Sequence, residues 1–129
     1  MPITPAIVGL ASDAQRWRRH LHAHPELLYD VEQIAAFVAE RLRKFGCDEV
    51  RTGVGRTGVV AVVKGRKRAS DCVIGLRADM DALPIEEATD LPYRSTVPGR
   101  MHACGHDGPA APPYGMAYWA RLVETALAA

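Results

Sequence analysis

The chain has 129 residues, with 16 Lys and Arg against 15 Asp and Glu for a formal net charge of +1, and it is 48% hydrophobic and 24% charged. This is ordinary globular usage at single-domain length, which excludes intrinsic disorder and collagen-like repeats. The balanced charge offers no basic face to nucleic acid, and no apolar run approaches the ~18–20 residues that cross a bilayer, so neither nucleic acid nor membrane is expected as a partner. The N-terminal Met1-Pro2-Ile3-Thr4-Pro5 lacks the basic segment of a signal peptide. Three cysteines without tight spacing suit a reducing compartment, and a cytoplasmic location is the expectation.

In chain order, Ser12 with Gln15 three residues on reads as a capping box that starts a first helix. Ala14, Trp17 and Leu21 give it one apolar stripe, and Pro25 requires it to stop at or before His24. A second helix is predicted from Val31 to Phe45, with Asp30 as N-cap and Val31, Ile34, Val38, Leu42 and Phe45 as its buried face. Gly46 follows where a left-handed C-cap is wanted. The period then turns extended. Val50 to Thr52 is a possible short strand, Val59 to Lys64 a strand, and Cys72 to Arg77 the next one, expected to pair with Val59–Lys64 as a hairpin. Residues 78–108, broken by Pro84, Pro92 and Pro98, read as one long loop, and a long ordered loop commonly carries function. Met116 to Ala129 is Ala-rich and helix-like.

Three clusters could carry chemistry. Met101-His102-Ala103-Cys104-Gly105-His106-Asp107-Gly108 puts a thiol, two imidazoles and a carboxylate between glycines that permit tight turning. Cys104 and His106 are borderline-soft donors two residues apart, His102 shares their parity, and Asp107 could accept from an imidazole N–H. A solvated loop with a buried thiol fits the same spacing. Arg77-Ala78-Asp79-Met80-Asp81 places two carboxylates at a strand end, where they repel each other unless a cation or proton is near; an acidic turn capping Arg77 is the simpler alternative. His20, His22 and His24 suggest metal, with His20 and His24 on one helical face, although a histidine near a helix C-terminus is also favourable through the macrodipole. Gly53-Val54-Gly55-Arg56-Thr57-Gly58 precedes a strand instead of opening a helix, so it is no dinucleotide loop. Cys47 and Cys72 read as small buried residues, and Lys64 to Arg68 as a solvated turn.

Taken together, the segments Arg18-Arg19-x-Leu21-His22-x-His24-Pro25-Glu26-Leu27, Leu76-Arg77-Ala78-Asp79-Met80-Asp81-Ala82-Leu83-Pro84-Ile85 and Pro98-Gly99-x-Met101-His102-Ala103-Cys104-Gly105-His106-Asp107-Gly108, with Glu87, Leu91-Pro92-Tyr93 and Ser95 between, resemble the amino-terminal part of M20-type metallopeptidases. The similar group holds hippurate hydrolases, N-acyl-amino-acid amidohydrolases and auxin-conjugate hydrolases. The resemblance implies an α/β fold, in which residues 1–129 are the incomplete N-terminal portion of a zinc-peptidase-like catalytic domain. That domain has a mixed sheet flanked by helices, and the portion is truncated and lacks the dimerisation domain. It implies a two-metal amidohydrolase using Zn, Mn, Co or Ni, acting on small N-acyl amino acid substrates and homodimeric when intact. Cys104 and His106 correspond to metal ligands and Asp81 to the catalytic carboxylate that orients a metal-binding residue. Asp79 stands where other branches carry a metal-binding His. The general-base Glu and three further ligands belong to later sequence, so this chain alone is expected to hydrolyse nothing. After Gly108 the chain departs from the family pattern, with Pro112 and Pro113 where a helix normally begins. A small non-catalytic metal-binding module and an inert remnant are the alternatives.

Overall fold

A computed structural model describes residues 5–65 and 73–105, together with Leu122, Val123 and Thr125, which are helical. Within it the elements run α1 (Pro5–Ala23), α2 (Glu32–Lys44), β1 (Glu49–Val54) and β2 (Gly58–Val62). None of the described helices is long and apolar enough to cross a membrane. Cys72 and most of the Met116–Ala129 segment lie outside the described residues.

Helix α1 starts earlier than the Ser12 capping box suggests. Pro5 occupies its first position, where a missing N–H costs nothing and the fixed φ is already helical, and Ser12 sits inside the helix. Its end at Ala23 agrees with the limit set by Pro25, which is itself fully buried. Helix α2 runs within one residue of the expected span at each end. Asp30 does not cap it. Val31 is the N-cap residue and makes no side-chain bond; the free N–H groups of Gln33 and Ile34 are instead taken by the Glu26 carboxylate at 3.2 and 2.8 Å. A cap delivered from several residues upstream has no signature in the local sequence. Asp30 pairs with Arg56.

Val31, Ile34, Ala35 and Ala39 are buried as the helical period requires, but Phe45 is 54% exposed. It stands edge-on to Trp17 with ring centroids 5.6 Å apart, so it covers the rim between α1 and α2 instead of entering the core. Gly46 has φ +78°, the left-handed conformation expected at its position.

The two strands form an antiparallel hairpin with Glu49 opposite Val62 and Thr52 opposite Val59, and α2 packs on both strands. The register shifts between Thr52 and Val54 around Gly53, which has φ +76°. The partner of β2 differs from the expected one: β1 pairs with it, while residues 73–77 form no strand, and Val73 is 92% exposed. The Gly55-Arg56-Thr57 turn closes a short loop at little entropic cost, whereas the route from β2 to Arg77 is longer. Asp48 also accepts the Lys64 N–H at 2.7 Å, which ends the ladder just beyond Val62. The hairpin turn docks on the segment before α2 through Arg56 with Asp30 and through the Thr57 hydroxyl, which donates to the Tyr29 carbonyl at 3.0 Å.

Residues 78–105 contain no helix or strand, in agreement with the loop reading. The loop is fixed by isolated pairings. Leu27 bridges Ala82 in parallel, with the Ala82 N–H donating to the Glu26 carbonyl at 2.8 Å. Leu83 and Met101 exchange two backbone bonds of 2.9 and 3.0 Å.

Candidate active site

The Leu83–Met101 exchange is what brings two of the sequence clusters together. Asp81 lies two residues before one end of this pair and Cys104 three residues beyond the other, so an antiparallel pairing carries both toward the same end of the loop. Ala82, buried and bridged to Leu27, fixes Asp81 against the segment that precedes α2. Asp81 is half-buried and lines an open cleft of about 440 Å³ shared with Tyr29, Val31, Val59, Arg77 and Asp79. Asp79 forms an ion pair with Arg77, as an acidic turn capping Arg77 would. Cys104 is a free, exposed thiol. His106 lies outside the described residues.

Among the described residues no three His, Cys, Asp or Glu side chains are grouped so that they could hold a metal ion. Cys104 alone of the expected ligand pair is described. The donor chemistry of an exposed thiol suits a transition ion, but the described donors do not complete a site.

Beside this end of the loop is a buried polar cluster. His22 and His102 are each 5% exposed, and their rings lie 6.4 Å apart. His22 Nε2 is 3.1 Å from Glu87 Oε1, and the ring of His22 stands edge-on to Tyr93 at 5.7 Å. Glu87 also accepts the Ser95 N–H at 2.6 Å and the Thr89 hydroxyl. Burial pushes the Glu87 carboxyl up, yet the bonds from Ser95, Thr89 and His22 outweigh it and hold the group below its ordinary value. Arg18 and Arg19 stack their guanidinium groups on Tyr93 at 5.4 and 5.0 Å, and Arg18 donates to the Tyr93 hydroxyl at 3.3 Å. Thr96 closes the joint by donating its N–H and its hydroxyl to the Ala23 carbonyl at 2.9 and 2.6 Å, which satisfies the end of α1.

The histidine cluster thus divides. His22 turns inward to Glu87, while His20 and His24 are exposed, and His24 donates from Nδ1 to the His20 carbonyl at 2.8 Å. The capping reading holds for His24. The His22–Glu87 pair was not read from the sequence, and its partners are too far apart in the chain for any local spacing rule to reveal them.

Comparison with known proteins agrees with this layout. Residues 75–128 match the description "Peptidase family M20/M25/M40". The chain is 49% identical over 108 residues to hippurate hydrolase of Campylobacter jejuni, covering 84% of this chain and 27% of that protein. It is 48% identical over 97 residues to N-acyl-L-amino acid amidohydrolase of Geobacillus stearothermophilus, covering 75% of this chain and 25% of that protein. The fold superposes with TM-score 0.73 and 40% identity on a crystal structure from Bacillus subtilis described as a dinuclear metal-binding peptidase of the M20 family, over 81% of this chain and 29% of that one. The chain therefore spans about a quarter of the length of the curated relatives it matches.

Proposed function

Because the chain belongs to peptidase family M20/M25/M40, as an α/β portion of its hydrolases, we propose that it contributes to hydrolysis of the amide bond of N-acyl amino acids of the hippurate type. In this reading Cys104 and His106 are metal ligands and Asp81 is the carboxylate that orients a metal-binding residue. What supports it is the Leu83–Met101 pairing, which joins the Asp81 segment to the Cys104 segment across the loop. When bound, divalent ions would supply an activated water and polarise the amide carbonyl. The residues of this chain would do the holding: Cys104 would offer its sulfur to an ion, and Asp81 is held in place by the Ala82 N–H bond to Glu26. A carboxylate fixed in this way can accept from an imidazole N–H and set which ring nitrogen faces an ion.

In this reading the 129-residue chain by itself is inactive, since Cys104 and His106 are two protein ligands and two cannot hold a pair of ions tightly. The test has two arms. Purified with added Mn²⁺ or Zn²⁺, the chain should not turn over hippurate, and turnover at the level of the Campylobacter relative would refute the inactivity. Substituted for the matched region of that relative, the same residues should support turnover. Asp81→Asn and Cys104→Ser should each lower that turnover at least ~100-fold, the scale on which correctly placed catalytic groups act. Unchanged rates in both variants would remove these residues from the site.

A further inference from the structure

The amidohydrolase reading does not use the outward pair of the histidine cluster. Its two rings lie 4.6 Å apart between centroids, tilted by 38°, at the exposed end of α1. His24 is the first residue past the helix end at Ala23, and with the two rings this close the imidazoles can offer nitrogens to one ion. The bond from His24 Nδ1 to the His20 carbonyl decides the tautomer. Nδ1 carries a proton there, because a carbonyl can only accept, so Nε2 is the nitrogen this bond leaves available to an ion, as with the backbone acceptors that orient metal-binding histidines elsewhere. His20 is oriented from its other side, stacked on Phe37 at 4.9 Å and 30°. Burial, with His24 and Arg41 close by, keeps His20 below its ordinary titration range, which favours its uncharged, ligating form. Arg41 is engaged over the rings of Phe37 and Trp17 at 4.8 and 5.8 Å. Its charge weakens any cation bound nearby, and water would fill the remaining coordination positions.

We propose that His20 and His24 form an accessory two-imidazole site for a divalent transition ion of the kind imidazole prefers, Ni²⁺ or Zn²⁺, separate from the Cys104 region. Only the two imidazoles and the solvent are needed to fill it, so it works in this chain without further sequence. Its occupant would clamp the last turn of α1 to His24, just before the buried Pro25, and so steady the point where the chain turns toward α2.

The probe is NiCl₂, titrated calorimetrically into the 129-residue chain carrying Cys104→Ser, which removes the thiol from competition. One ion should bind per chain, and His24→Ala should weaken that binding at least tenfold. His20→Asn should weaken it to a similar degree, with circular dichroism showing that each variant keeps its helix. In the Cys104→Ser chain itself, paramagnetic Ni²⁺ should broaden the ring proton signals of His20 and His24 while those of His22 persist, a readout that depends on no histidine variant. Binding unaltered by both substitutions, absence of binding, or broadening centred on His22 would overturn the proposal. The Cys104→Ser background keeps this result distinct from the amidohydrolase reading, which fails or stands on Cys104 and Asp81.

Discussion

His22 and Glu87, 65 positions apart in the chain, meet through an Nε2–Oε1 contact of 3.1 Å with side chains only 6% and 3% exposed. This contact, with the Thr96 bonds to Ala23, ties the long loop to the end of α1. Glu87 is the acceptor shared by the His22 ring, the Ser95 N–H and the Thr89 hydroxyl, so truncating it takes that acceptor away from all three at a buried place. Glu87→Ala should lower stability by roughly 3 kcal/mol, the scale for breaking a buried pair by removing one side. Urea unfolding measures this, and a change under ~0.5 kcal/mol would show that the loop is held by its backbone bonds alone.

The same carboxylate sets a pH dependence. Its folded value is held below the ordinary one, so its contribution is fully present above the unfolded value near 4.5 and is lost as pH falls through the lower folded value. Stability should therefore decline on acidification from pH 4.5 downward, and Glu87→Gln should flatten that decline. An unchanged slope in the variant would assign the acid sensitivity to other carboxylates.

His20 gives a second window of opposite chemistry. Its imidazole is held below 6.5 chiefly by burial, then by His24 and Arg41, so the unfolded chain binds a proton more readily than the folded one. Stability should rise with pH through the region just below 6.5. The ring proton resonances of His20 in an NMR titration should give a midpoint under 6.5; a midpoint at or above it contradicts the packing against Phe37.

Glu26 makes a main-chain and a side-chain connection in different directions, its carbonyl accepting from Ala82 and its carboxylate from the first turn of α2. Glu26→Ala leaves the first intact and removes the second. A loss of about 1 kcal/mol is expected, the scale of an N-cap, with the largest increase in amide exchange at Gln33 and Ile34. Uniform exchange increases along the whole chain would mean that the side chain does more than cap.

Gly58 is required for a steric reason. A β-carbon there would collide with the Val54 carbonyl oxygen across the register shift, and the neighbour is backbone that has nowhere to move. Gly58→Ala should cost about 1–3 kcal/mol, as overpacking does, and disrupt the hairpin turn. Gly46→Ala, where nothing lies within contact distance, tests backbone conformation alone through its φ of +78° and should cost less.

What the sequence made legible was local. The 3.6 period of Val31, Ile34, Val38 and Leu42 located α2 to within a residue, and Pro25 located the end of α1, because both signals are carried by neighbours in the chain. The partner of β2 was misjudged because an extended apolar run at 72–77 is indistinguishable by pattern from a paired strand. Asp30 was a reasonable cap by type, yet Glu26 reached the same N–H groups from outside the motif. In the candidate site the Asp81 and Cys104 segments were recognisable one by one. That Leu83 and Met101 join them, and that His22 reaches Glu87, are long-range facts on which periodicity is silent.

Trp17 stands where α1 meets α2, edge-on to Phe45 and beneath the Arg41 guanidinium. An indole in that position carries an optical signature of the contact between the two helices. With Trp119 replaced by Phe, its emission would report when α1 lifts from α2 while far-ultraviolet dichroism follows the helices themselves. The two signals would diverge if the helices part before they melt, so one native side chain can reveal whether this fold opens in one step or two.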